Sequence, residues 1–91
     1  MKNQTSSLLV SHVRWDGNKI EGGAPEWIAE ALQKGTPDTP GAIMRIGNVV
    51  HVGSDKGILT ANPGDWIVNL GSGILTVLSA QAHDTLFGSY E

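Results

Sequence analysis

The sequence predicts an α+β fold, a small twisted antiparallel sheet of about five strands in meander order with one short helix packed on it. Three observations predict it. Apolar residues alternate with period 2 in several short runs. Twelve glycines among 91 residues fall largely between those runs, where they punctuate strands as turns. Only one stretch carries a helical apolar stripe with recognisable ends.

Leu8 to Trp15 is the first predicted strand, with Leu9, Ser11, Val13 and Trp15 on one side and Leu8, Val10, His12 and Arg14 on the other. Asp16-Gly17-Asn18 closes it, because Asp and Asn bond their own backbone and Gly accepts either sign of φ. Lys19 to Gly23 is a loop or short extension.

Pro25 to Lys34 is the predicted helix. Pro25 suits the first helical position, Glu26 lies in the first turn and Gly35 can end the helix in αL geometry. Trp27, Ile28, Ala31 and Leu32 form the apolar stripe, and Glu30 and Lys34 are spaced for an i,i+4 pair. So short a helix is held by packing rather than by propensity.

Thr36-Pro37-Asp38-Thr39-Pro40-Gly41 reads as an exposed loop and a candidate mobile flap, since two prolines remove backbone donors. Ala42 to Ile46 and Val49 to Val52 flank Gly47-Asn48, a two-residue connection suited to a hairpin. Ser54 to Gly57 turns the chain into Ile58 to Ala61.

Asn62-Pro63-Gly64-Asp65 specifies a type II β-turn: Pro63 presets its φ and Gly64 supplies φ > 0. It delivers Trp66 into an apolar strand in which Trp66, Val68 and Leu70 share one face and Ile67 and Asn69 the other. After Gly71-Ser72-Gly73, Ile74 to Ser79 forms a last strand. Residues 80–91 read either as a helical turn or as an irregular return across the sheet, with Leu86, Phe87 and Tyr90 as anchors.

At this length one domain, 1–91, is expected, with a flexible stretch at 1–7 and a single modest core burying roughly 60–65% of the unfolded surface. There is no cysteine, so neither disulfides nor a cysteine-ligated zinc can add stability, and self-association is the remaining common remedy. A net charge of −3 supplies no electrostatic footprint for duplex nucleic acid or an anionic membrane. Leu8-Leu9-Val10 is too short for a signal-peptide core or a membrane span, which makes the cytoplasm the expected location.

Lys56 to Val68, containing Pro63-Gly64-Asp65-Trp66-Ile67, resembles the EG-x-x-x-x-x-PGDWII or PGDYI signature of small proteins encoded by tailed phages and prophages. Arg14-Trp15-Asp16-Gly17 and the closing Tyr90-Glu91 are similar to that family's opening and end. Two departures stand out. Gly73 leads into Ile74-Leu75 instead of a G-x-x-GE-x-YP continuation, and His83-Asp84-Thr85-Leu86-Phe87 replaces a Pro-Asp-x-Phe tail. The resemblance implies phage origin and a compact fold, and carries over no catalytic residues.

His12, His51 and His83 lack metal-ligand spacing, so no metal site is expected from the sequence. Gly71-Ser72-Gly73 has neither the Lys-Ser/Thr of a phosphate loop nor the context of a nucleophile elbow, and reads as a hairpin turn. Asp65 beside Pro-Gly favours turn-capping over acid–base work. With no base, orienting partner and sheltered pocket visible together, no catalytic residue and no cofactor are nominated.

Trp15 and Trp27 read first as core, and the basic residues as solvated surface. The functional alternative gathers His12, Arg14, Lys34 and Arg45 into a cationic patch beside Trp15, with Arg gripping phosphate and the indole stacking a base. The resulting expectation is a non-enzymatic, phage-encoded binding protein of the infected host's cytoplasm. It would be a homo-oligomer that sequesters a nucleotide immune signal such as a cyclic dinucleotide. The alternative is a phage structural or interaction module with no small-molecule ligand.

Overall fold

The computed structural model describes residues 11–71 and 73–87 and shows an α+β chain with two three-stranded antiparallel sheets. The first sheet has the order β1-β5-β6, from Ser11–Arg14 (β1), Trp66–Asn69 (β5) and Leu75–Leu78 (β6). The second is a meander, β2-β3-β4, from Ile43–Ile46 (β2), Val49–Ser54 (β3) and Gly57–Ala61 (β4). Two helices are found among the described residues, Glu26–Leu32 (α1) and Ala80–Phe87 (α2).

The strand count of the expected fold is corrected here, and the reading left open for residues 80–91 resolves to a helix over 80–87. Among the described residues there are six strands in two sheets, not about five in one, because β1 pairs with β5 across the intervening meander. A second helix exists, and its start has a physical cause. The Ser79 hydroxyl accepts the Ala82 N–H at 3.1 Å and the Ser79 carbonyl accepts the His83 N–H at 2.8 Å, which together cap its N-terminus.

The registers follow the sequence pattern. Val13 lies opposite Ile67, and Ile67 opposite Val77, which puts one face of the first sheet on the core. Ile43, Val52 and Leu59 align across the second sheet in the same way. β6 packs against β3 and β4, so the two sheets close on a shared core of Val13, Trp15, Ile43, Val50, Val52, Ala61, Ile67 and Leu75. Ile28 and Ala31 of α1 complete that core.

α1 runs one residue shorter at its start than predicted: Pro25 is the extended residue before the helix, at φ −70 and ψ 168. Gly35 follows at φ 102, the left-handed conformation expected of it. The indole N–H of Trp27 donates to the Ser11 hydroxyl at 2.7 Å and ties α1 to β1. Glu30 and Lys34 make no ion pair; the Lys34 side chain instead lies over Gly41.

The Pro-Gly turn forms as the sequence dictates. Gly64 has φ 95, the Asp65 N–H donates to the Asn62 carbonyl at 2.9 Å, and the Asp65 carboxylate accepts the Asn62 N–H at 2.9 Å. The turn is also bonded to Trp15, whose carbonyl accepts the Gly64 N–H and whose N–H donates to the Asp65 carbonyl. Asp16 caps the neighbouring turn by accepting the N–H groups of Asn18 and Lys19, each at 2.7 Å. These bonds hold its carboxyl below the usual carboxylate range.

The segment from Thr36 to Gly41 is not a free flap. Its carbonyls at Pro37 and Thr39 lie directly over Gly53, and the Gly41 N–H donates to the Gly53 carbonyl at 2.8 Å. No helix among the described residues is long and apolar enough to cross a membrane. The expectations for residues 1–10, Ser72 and Tyr90 lie outside the described residues.

Candidate functional site

The hairpin of β2 and β3 places Arg45 on the core-facing side of its strand, at the edge where the chain leaves β1. Trp15, at the end of β1, is 4% exposed, and its indole N–H donates to the Asn48 carbonyl in the β2–β3 turn at 2.8 Å. That bond brings hairpin and indole together. The Arg45 guanidinium lies 5.1 Å from the Trp15 ring centroid, a cation–π distance. Its Nε donates to the Gly47 carbonyl at 2.9 Å and a terminal nitrogen donates to the Asn18 carbonyl at 3.0 Å.

A guanidinium carries five N–H donors. Two of Arg45's are engaged by these carbonyls, and the side chain is exposed, so the remaining donors face solvent in a fixed orientation. Beneath it a cavity of ≈ 120 Å³ is lined by Trp15, Ile20, Ile28, Leu32, Arg45 and neighbouring apolar core residues. Leu32, predicted as part of the buried helical stripe, is 51% exposed at this rim. Lys19 follows Asn18 in the loop that anchors the guanidinium, and it is exposed. The arrangement is an apolar recess with an oriented cation at its mouth.

Of the five residues proposed as a patch, Trp15 and Arg45 are therefore together. His12 and Arg14 lie on the opposite face of β1 from Trp15. Arg14 reaches across the Pro-Gly turn, with its Nε 3.4 Å from the Gly64 carbonyl and a terminal nitrogen 3.3 Å from the Glu21 carboxylate. Lys34 lines a separate small cavity of ≈ 70 Å³ with Trp27, Glu30, Gly41 and Gly73.

His12 has a different set of neighbours. Its ring stacks on Phe87 at 4.6 Å between centroids, and its Nδ1 is 2.8 Å from Nε2 of His83. His83 in turn stacks on Trp66 at 3.6 Å with only 4° between the planes. The sequence reading missed this cluster because 71 residues separate the two histidines. The one available signal was Ser79, an N-cap residue type, ahead of Ala80-Gln81-Ala82. Among the described residues no group of three or more His, Asp or Glu is placed to hold a metal ion.

A larger open groove of ≈ 350 Å³ runs between the β3–β4 turn and the β5–β6 connection, lined by Asp55, Lys56, Leu59, Leu70, Ile74 and Thr76 among others. Leu70 and Ile74 at its rim are 53% and 47% exposed. Comparison of the chain with known protein families, with characterised proteins and with solved structures returns no match.

Proposed function

We propose that this is a phage-encoded, non-enzymatic binding protein that captures a small phosphate-bearing ligand in the host cytoplasm. A nucleotide immune signal such as a cyclic dinucleotide is the class we favour. The observation that carries the reading is the Arg45 guanidinium, oriented by Trp15 and two carbonyls at the mouth of an apolar recess. A preoriented guanidinium loses little freedom when it grips phosphate with two parallel hydrogen bonds. Trp15 then serves as the platform for the cation, and Lys19 follows Asn18, whose carbonyl anchors the guanidinium.

The recess is far smaller than usual ligand pockets of roughly 300–1,000 Å³. A dinucleotide therefore needs a second wall, which a second copy of the chain would supply. The phage setting rests on the Pro63-Gly64-Asp65-Trp66 resemblance. Titration calorimetry and thermal shift against cyclic di- and trinucleotides test the proposal. A micromolar binder at about 100 µM ligand gains about 2.7 kcal/mol of stability, and Arg45→Ala abolishes that gain. No stabilisation by any ligand, or equal stabilisation of Arg45→Ala, rejects it.

The second reading, a phage structural or interaction module, is favoured by the open groove and its exposed Leu70 and Ile74. Recovery of the chain in purified particles, with no effect of Arg45→Ala on incorporation, selects that reading.

A further inference from the structure

The two edges of the second sheet are unlike. β2 carries the charged Arg45, whereas β4, Gly57-Ile58-Leu59-Thr60-Ala61, has neither a charge nor a proline, the devices that keep an edge strand from pairing with another chain. In the first sheet β1 is partly covered, since the Glu21 N–H donates to the Arg14 carbonyl at 3.0 Å and Trp15 bridges Ile20. β6 packs against β3 and β4. The start of β4 stays accessible, because the ≈ 350 Å³ groove opens between the β3–β4 turn and Leu59 on one side and the β5–β6 connection on the other.

The ladder says which backbone groups this edge offers. In an antiparallel pair the N–H and C=O of one residue point to the same side, and those of the next residue to the other. Gly53 bonds toward β2, where its N–H donates to the Ala42 carbonyl and its own carbonyl accepts the Gly41 N–H, both at 2.8 Å. Ser54, Val52 and Val50 therefore bond toward β4, to their register partners Gly57, Leu59 and Ala61. Ile58 and Thr60 are left with N–H and C=O directed away from β3, and no strand or turn among the described residues bonds to them. Both side chains are exposed, Ile58 by 55%.

We infer that β4 is the self-association edge of this chain, and that it pairs antiparallel with β4 of a second copy to join two sheets into one. About a two-fold axis at Leu59 the open groups meet reciprocally, with Ile58 of each copy opposite Thr60 of the other and each pair exchanging both of its N–H···O bonds. The occupant is a second copy because this register is self-complementary. It carries Lys56 opposite Asn62 of the other copy, whose N–H is held by the Asp65 carboxylate at 2.9 Å, so an ammonium meets a carboxylate-capped turn once in each direction. Neither Lys56 nor Asp65 has an ion-pair partner among the described residues. No ligand takes part in this contact, so it stands apart from capture at Arg45.

Sedimentation velocity from about 1 to about 500 µM, with amide hydrogen exchange at both ends of that range, tests the pairing. The wild type should pass from one chain to two, and the Ile58 and Thr60 amides should gain about ten-fold or more protection with concentration, while Leu59, already bonded to β3, changes less. Thr60→Pro removes an N–H that β3 does not use and blocks the arriving strand, so it should stay folded and sediment as one chain throughout. Lys56→Glu sets like charges together and should raise the dissociation constant about ten-fold. The pairing is overturned by a wild type that remains a single chain, by a dimer whose Ile58 and Thr60 amides exchange as in the monomer, by Thr60→Pro dimerising like the wild type, or by an unchanged dissociation constant in Lys56→Glu. Should Thr60→Pro fail to fold, the wild-type exchange at Ile58 and Thr60 decides alone.

Discussion

Gly53→Ala should be the most damaging single-methyl substitution in the chain, and the reason is crowding rather than backbone conformation. A Cβ at Gly53 would stand 2.3 Å from the Thr39 carbonyl oxygen and 2.5 Å from that of Pro37. Separations under 3.0 Å do not occur for real Cβ atoms, so the two carbonyls would have to retreat by about 0.7 and 0.5 Å. Neither can move alone. The Gly41 N–H donates to Gly53 and the Gly53 N–H donates to Ala42, both at 2.8 Å, which clamps the loop to β3. Overpacking costs about 1–3 kcal/mol and each of the two backbone bonds lost about 0.5–1.5 kcal/mol, giving about 2–6 kcal/mol in total. A chain of this size has about 5–14 kcal/mol of stability. With a urea slope near 1 kcal/mol/M, the midpoint should fall by about 2 M or more. Gly64→Ala is the comparison: its added Cβ is 3.7 Å from its nearest neighbour, and its cost of about 1 kcal/mol comes from φ 95 alone. A Gly53→Ala stability within about 0.5 kcal/mol of wild type, or a urea midpoint above that of Gly64→Ala, refutes the packing argument.

Two further outcomes are expected. Trp15→Phe leaves the Asn48 carbonyl without its indole donor and should cost about 1 kcal/mol, whereas Trp15→Ala removes a core ring and should cost about 3–5 kcal/mol by thermal or urea denaturation. Asp16 has a folded-state pKa lowered from 3.8 by its bonds to the Lys19 and Asn18 amides, so its contribution is complete above pH 3.8 and disappears as pH falls through the lower folded value. Asp16→Asn keeps an acceptor oxygen but cannot titrate, and the acid limb of a stability–pH curve below 3.8 should flatten; an unchanged limb assigns the acid sensitivity elsewhere.

Local chemistry made much of this fold legible. Pro63-Gly64 forms its turn, Gly47-Asn48 joins a hairpin in the expected register, and Val13 and Trp15 share the buried side of β1. Strand alternation also placed Trp66 and Val68 on one face and Ile67 on the other. Period 2 says which residues share a face, but not whether that face is covered. Ile67 is 0% and Val68 1% exposed because β5 is the central strand of its sheet, with core on one side and α2 on the other. A half-buried strand and a fully buried one differ here only in what arrives from residues 80–87, and that segment gives little helical signal beyond Ser79.

The site was less legible for a related reason. Each basic residue could be assigned to a strand face, but a patch requires those faces to converge, and convergence depends on how one sheet sits on another. Arg14 and Trp15 are adjacent in sequence, and that adjacency sends them to opposite sides of the sheet. Arg45 reaches Trp15 only because the Asn48 carbonyl accepts the indole N–H and the Asn18 carbonyl accepts the guanidinium, contacts spanning 33 and 27 residues. The same geometry puts Arg45 and its recess on the core-facing side of β1, whereas His12 and His83 lie on its outer side. Arg45→Ala should therefore remove ligand stabilisation while leaving the α2 amides as protected from hydrogen exchange as in the wild type. Loss of that protection in Arg45→Ala would show instead that the two faces are coupled through β1.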